Sequence, residues 1–173
     1  EGLRDAVAHI VALGHRKIGT IPFSPPGFSA ADMRLSELRG FLSDHSIPLD
    51  DTAIVSGDFS AESGFKATVE LMASRPDITA IFAGNDTIAL GVIGALANLG
   101  LSVPRDVSVV GFDDLPFAGY VAPPLTTVRV DAMLQGRSAA EALMLRLKGK
   151  PVPEPCQKFA SVFIRRESTA SAP

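Results

Sequence analysis

The chain has 173 residues, a formal net charge of −3, hydrophobic residues at 46% of positions and a mean hydropathy of +0.25. These values predict one ordinary folded domain and exclude a disordered segment or two large domains. The slight negative charge argues against nucleic-acid binding by this chain itself, and no apolar run has the length of a membrane span. A lone cysteine, Cys156, fits a reducing compartment, so we expect a cytoplasmic protein.

Helical and strand-like patterns alternate along the chain. The first predicted elements are a helix with Leu3, Val7, Ile10 and Val11 inward that ends at Gly14, a strand over 18–23, a helix capped by Ser29 or Asp32, and a strand over 53–56. A helix capped by Ser60 follows, with Phe65, Val69 and Met72 inward, then a strand over 78–83 and a helix over 88–99 closed by Gly100. The last predicted elements are strands over 107–111 and 125–130, a helix capped by Asp131 with Ala140, Leu143 and Leu147 inward, and a strand over 157–164. This order predicts the α/β class, with a doubly wound parallel sheet.

Polar or aromatic residues directly follow four of the apolar strands. The four turns are Pro22-Phe23-Ser24, Gly57-Asp58-Phe59, Gly84-Asn85-Asp86 and Gly111-Phe112-Asp113-Asp114. In a parallel sheet all strand ends of one polarity lie along one edge, and ligands bind in the crevice outside the carboxyl ends. We therefore expect these turns to line a single binding crevice.

Three side chains in these turns suit a small polar ligand. The Asn85 amide offers a donor and an acceptor, although either Asn85 or Asp86 must cap the following helix. The Asp113 carboxylate suits vicinal hydroxyl groups, with a turn residue bonded to its own backbone as the alternative. Phe59 can cover the apolar face of a sugar or base, or it can belong to the core together with Phe23.

No pattern in the sequence indicates catalysis or metal binding. Adjacent Asp113 and Asp114 in a turn do not suit a paired acid and base, and the three histidines lack the spacing of metal ligands. No Gly-x-Ser-x-Gly motif is present. We expect a binding protein without cofactor, metal or catalytic residues, while an enzyme on the same sheet stays a rival because a fold alone does not exclude it.

Residues 103–114, Val-Pro-Arg-Asp-Val-Ser-Val-Val-Gly-Phe-Asp-Asp, resemble the signature of the lactose/galactose-repressor family of bacterial transcription regulators. Supporting segments in the family's order are 14–19, 57–59, 83–91, 123–128 and 165–169. The resemblance implies a type I periplasmic-binding-protein-like fold, with 1–124 as the C-terminal lobe of an effector-binding core. It implies that 125–156 is a crossover strand and helix associated with the N-terminal lobe, and 157–173 the return strand and tail. Most of that lobe and a helix-turn-helix headpiece would lie upstream of Glu1.

The resemblance also implies a function. An effector, a sugar or similar small polar molecule, would bind between the lobes, shift their arrangement and so change the affinity for operator DNA, which only the headpiece contacts. Residues that match the family's effector contacts are Phe59, Asn85 and Asp113. The family's usual arginine three residues before Gly40 is Glu37 here, which leaves Arg34 as the candidate from the preceding turn. Without an arginine in the site, a neutral sugar is favoured over an anion.

In this family the helix after Asn85 and the loop after Asp114 form a dimer interface, so the resemblance implies a homodimer. The predicted interface residues are Leu115, Phe117, Tyr120 and Gly91. The alternative function is a periplasmic sugar-binding receptor of a transporter, which shares the fold. A secretion signal upstream would favour the receptor, whereas a helix-turn-helix would exclude it.

Overall fold

The computed structural model describes residues 1–154 and 156–173. Its helices are α1 (Gly2–Ala12), α2 (Ser29–Asp44), α3 (Ala61–Ser74), α4 (Asp86–Asn98) and α5 (Ala132–Leu147), and its strands are β1 (Ile18–Ile21), β2 (Ala80–Ala83), β3 (Ser108–Val110), β4 (Thr127–Val130) and β5 (Ser161–Ile164). Short 3₁₀ turns cover Asp51–Ala53 and Pro116–Gly119. None of the helices in the described ranges has the length and apolarity to cross a membrane.

The three strands β1, β2 and β3 form a parallel sheet with β2 in the middle, as the sequence predicts. Single parallel bridges extend it on both sides, from Thr20 to Ile54 and from Val110 to Thr126. All three strands are buried because helices cover both faces of the sheet. One apolar cluster joins the sheet to α3 and α4, and the other joins it to α1 and α2. The doubly wound arrangement is thereby confirmed.

Several predicted elements differ in the structure. The predicted strand over 53–56 forms only the bridge at Ile54, since it lies at the sheet edge and follows a 3₁₀ turn. In α3 the buried face centres on Ala67, Thr68 and Leu71, whereas Phe65 is partly exposed. The helix caps are correct at Ser60 and Asp131, which accept bonds from Ser63 N and Leu134 N.

The α2 cap was predicted wrongly as Ser29 or Asp32. Phe28 holds the cap position, and its carbonyl accepts bonds from Ala31 N and Asp32 N. The Asp32 carboxylate instead accepts the Gly27 N–H at 3.0 Å. The helix therefore begins where predicted, but without a side-chain cap.

Strands β4 and β5 depart from an all-parallel sheet by pairing antiparallel with each other. The helix between them, α5, has no buried residue within the described part of the chain. Ala140, Leu143 and Leu147 are therefore exposed and do not point into a core within the described residues, whereas the resemblance implied that this helix belongs to a further lobe and that its apolar face lacks partners in this chain. The assignment of 125–156 to a second lobe stays a prediction.

Candidate functional site

The four turns predicted to line a crevice lie along one edge of the sheet, the edge formed by the carboxyl ends of its strands. Gly84 N donates to Ile21 O at 2.8 Å, and Gly57 N donates to Pro22 O at 2.7 Å. On the other side, Asp86 N donates to Phe112 O at 2.8 Å. These backbone bonds connect the carboxyl ends of β1, β2 and β3 with one another, and the segment around Gly57 with the end of β1. The structure therefore brings the predicted turns together.

An aromatic cluster covers one side of this edge. The Phe23 ring lies 4.8 Å from the Phe59 ring and 6.0 Å from the Phe28 ring, measured between centroids. Phe23 is a core residue, but Phe28 and Phe59 are 49% and 50% exposed. The exposed rings form an apolar surface on which a flat, weakly polar ligand face can pack. The sequence reasoning missed Phe28, which no strand-end pattern marks.

Arg34 reaches this edge from α2. Its guanidinium carbon lies 3.5 Å from the Phe112 ring centroid and 4.7 Å from that of Phe23, so the cation stacks between two aromatic rings. Its Nη1 donates to Gly84 O at 2.5 Å. Glu37, which occupies the family's arginine position, is exposed. Among the described residues one of the five Arg34 N–H donors is hydrogen-bonded, and the flat faces of the guanidinium are covered by the two rings.

Asp113 is half-buried at the same edge and has a φ of +106°. Its N–H donates to Val128 O at 2.8 Å. Burial raises the pKa of its carboxyl, and the positive charge of Arg34 opposes that rise. The carboxylate has no hydrogen-bond partner among the described residues, so the alternative of a turn residue bonded to its own backbone does not hold. Its acceptor positions are available to a ligand.

Asn85, and not Asp86, is the cap of α4. The Asn85 Oδ1 accepts the Ile88 N–H at 2.7 Å. The sequence left the cap open between Asn85 and Asp86, and the structure places Asn85 there. Within residues 1–154 and 156–173 the Asn85 Nδ2 has no acceptor, so it can donate to a ligand beside Asp113.

Asp86 instead ties three segments together beneath the edge. It is fully buried, and its carboxylate accepts bonds from Thr127 Oγ1 at 2.6 Å and from Leu115 N at 2.7 Å. Burial raises the pKa of Asp86 to about 6, and the nearby Asp113 and Asp114 charges add to that rise. The contact to Thr127 spans 41 residues, which explains why the sequence did not indicate it.

Asp86 is expected to make stability pH-dependent in the acid range. Because the folded-state pKa is raised from 3.8 to about 6, the folded chain holds this proton more tightly than the unfolded chain. Its contribution to the free energy of unfolding is full below pH about 4 and is lost as pH rises through about 6, by at most about 3 kcal/mol. Urea unfolding of the wild type and Asp86→Asn across this range isolates the effect. A difference between the two proteins that does not change with pH would contradict the assignment.

A small cavity of about 30 Å³ lies under the edge, lined in part by Thr20, Phe23, Arg34, Phe82 and Phe112. The described ranges hold no cluster of three or more side chains suited to a metal ion.

The predicted dimer residues lie in different surroundings. Tyr120 is 91% exposed, and Leu115 and Phe117 are half-buried in the same loop. Gly91 is buried inside the chain, where an added Cβ would meet Ala61 O and the Phe65 amide nitrogen. Gly91 therefore serves the packing of α4 on α3 and has no surface to offer a second chain.

A sequence model of the periplasmic binding protein-like domain matches residues 7–169. The HTH-type transcriptional regulator MalR of Streptomyces coelicolor is 36% identical over 171 residues, which cover 97% of this chain and 49% of the regulator.

Two solved structures are similar over nearly the whole chain. A complex of the transcriptional regulator CelR with cellobiose has a TM-score of 0.91 and 35% identity, covering 96% of this chain and 51% of that one. The Lac repressor dimer bound to operator and the anti-inducer ONPF has a TM-score of 0.87 and 34% identity, covering 98% and 58%. The chain spans about half the length of the curated relatives it matches.

Proposed function

This chain belongs to the family of periplasmic binding protein-like domains, and we propose that it is the effector-sensing part of a DNA-binding transcriptional regulator. The observation that carries this proposal is the edge at which Asp113, Asn85, Arg34 and the exposed Phe59 ring meet. Its relatives include transcriptional regulators, among them MalR of Streptomyces coelicolor. The similar proteins named above are transcriptional regulators, which disfavours the alternative of a periplasmic receptor.

We propose a neutral sugar as the effector. The unpartnered Asp113 carboxylate can accept two hydroxyl hydrogen bonds, and the Asn85 Nδ2 can donate one. Phe28 and Phe59 offer an apolar surface to a sugar ring face. The cations near this site are engaged within the chain, which disfavours a strongly anionic ligand: Arg34 is stacked on two rings and bonded to Gly84 O, and Arg129 and Arg166 pair with Asp114. A related regulator, CelR, was solved with cellobiose.

In this proposal the effector acts by changing the arrangement of two lobes. Residues 125–156 would contact the second lobe through the exposed apolar face of α5, which includes Met133, Leu143 and Leu147. A ligand shifts such an equilibrium only through its different affinity for the two arrangements. The operator would be contacted by a headpiece outside this chain, in the cytoplasm.

Thermal unfolding of the full-length protein with a ligand panel tests the effector class. The panel holds cellobiose, other neutral mono- and disaccharides, a sugar phosphate and a purine base. A ligand that binds only the folded state raises the melting temperature. We expect a rise with a neutral sugar; a rise confined to the sugar phosphate or the purine would contradict the proposed class.

We also propose that the protein is a homodimer whose interface includes the loop with Leu115, Phe117 and Tyr120. Because Tyr120 is 91% exposed, Tyr120→Asp is expected to weaken association about tenfold or more without loss of folding. Met33→Asp is the matched control, since Met33 is 62% exposed on α2. Sedimentation over a range of concentrations measures both variants. Equal dimerisation of Tyr120→Asp, Met33→Asp and wild type would refute this interface.

A further inference from the structure

Asp114 joins the turn after β3 to β4 and to the segment that directly follows β5. Its Oδ2 accepts a bond from Arg129 Nε on β4 at 2.6 Å, and its Oδ1 accepts one from Arg166 Nη2, just after β5, at 2.6 Å. Arg166 Nη1 also donates to Leu125 O at 2.7 Å. The Asp114 side chain is only 6% exposed, so these charge-assisted bonds are stronger than exposed surface pairs.

The two adjacent aspartates differ in protonation behaviour and in partners. Burial alone raises the pKa of Asp114, but the hydrogen bonds and charges of Arg166 and Arg129 outweigh burial and hold the pKa below its ordinary value. Asp114 is therefore a carboxylate at neutral pH and keeps both pairs. Asp113 has a raised pKa from burial and no hydrogen-bond partner in the described ranges. One carboxylate holds the turn, and the other is open to a ligand.

The backbone of this turn is strained at both aspartates. Asp113 has a φ of +106° and Asp114 a φ of +57°, a region that residues other than glycine rarely adopt. Such a conformation persists only where surrounding contacts fix it. The bond from Asp113 N to Val128 O fixes the first residue, and the pairs with Arg129 and Arg166 fix the second.

We propose that Asp114 is a positioning residue that holds Asp113 toward the effector and links that contact to β4 and the segment after β5. The link to the effector rests on the proposed function, because it requires Asp113 to be an effector contact. A ligand that moves the Asp113 turn also moves the carboxylate between Arg129 and Arg166. By linkage, if the ligand changes the equilibrium between two positions of those segments by some factor, a shift from one position to the other changes the ligand affinity by that factor.

Hydrogen exchange tests the positioning role without a ligand. In Asp114→Asn the Asp113 amide, which donates to Val128 O, is expected to exchange about tenfold faster or more, while amides in β2 keep their wild-type rates. Asp51→Asn is the matched control, because it removes an exposed pair with Arg39. Unchanged exchange at Asp113 in Asp114→Asn would overturn the proposal.

A double-mutant cycle with cellobiose as the probe, in the full-length protein, tests the link to the effector. Asp114→Asn is expected to weaken cellobiose binding about tenfold in the wild-type background and to have no effect in the Asp113→Asn background. Additive losses would overturn the link, since Asp114 would then act independently of Asp113. If Asp113→Asn binds cellobiose as well as wild type, the proposed effector contact is wrong, and failure of the wild type to bind cellobiose counts against cellobiose as the effector. In either case the hydrogen-exchange result still decides the positioning role.

Discussion

The Asp113→Asn variant is expected to bind a neutral disaccharide such as cellobiose about tenfold to a hundredfold more weakly than the wild-type protein. Hydrogen bonds to a charged acceptor contribute about 1.5–3 kcal/mol each, and asparagine keeps the shape of the side chain while removing the charge. The half-buried carboxylate has a raised pKa from burial, so its neutralisation should not lower the free energy of unfolding. Calorimetric titration at neutral pH measures the affinity, and urea unfolding measures the stability.

Asp44→Asn is the control for this prediction, since Asp44 is an exposed carboxylate near the end of α2. It should bind the disaccharide as the wild type does. Unchanged affinity in Asp113→Asn, or an equal loss in Asp44→Asn, would remove Asp113 from the site.

Replacing Gly91 by alanine is expected to lower the free energy of unfolding by about 3 kcal/mol. The added Cβ would overlap the Ala61 carbonyl oxygen and lie 2.6 Å from the Phe65 amide nitrogen, and both are backbone atoms that cannot rotate away. The melting temperature should fall by about 6–12 °C for a chain of this size. Thermal and urea unfolding of the variant measure both quantities.

Gly94 provides the matched control on the same helix. An added Cβ there meets only the Phe65 ring at 3.7 Å, an ordinary contact. Gly94→Ala should therefore raise stability by about 0.5–1 kcal/mol, because alanine favours the helix. Equal effects of the two substitutions would mean that α3 and α4 do not approach as closely as described.

Features determined within a few residues could be predicted from the sequence. The apolar run over 107–111 predicted the strand that is β3, and Ser60 and Asp131 were recognised as caps because a cap bonds an amide three residues away. The resemblance carried by residues 103–114 implied a periplasmic-binding-protein-like fold, which the match to residues 7–169 confirms, and the regulators similar to this chain agree with the repressor family it indicated.

Contacts between distant segments could not be predicted in this way. Asp86 meets Thr127 across 41 residues, and Asp114 meets Arg166 across 52. Their side chains converge only once β4 has been placed beside β3, a choice that no local pattern dictates. The same holds for Gly91, whose small size is explained by the α3 backbone and not by its own helix.

The coding sequence directly upstream of Glu1 gives the most direct test of the central claim, that this chain senses an effector for a DNA-binding regulator. We expect a helix-turn-helix followed by a further strand–helix lobe ahead of residue 1. A cleavable secretion signal in its place would contradict the regulator and favour a receptor that uses the same crevice for transport.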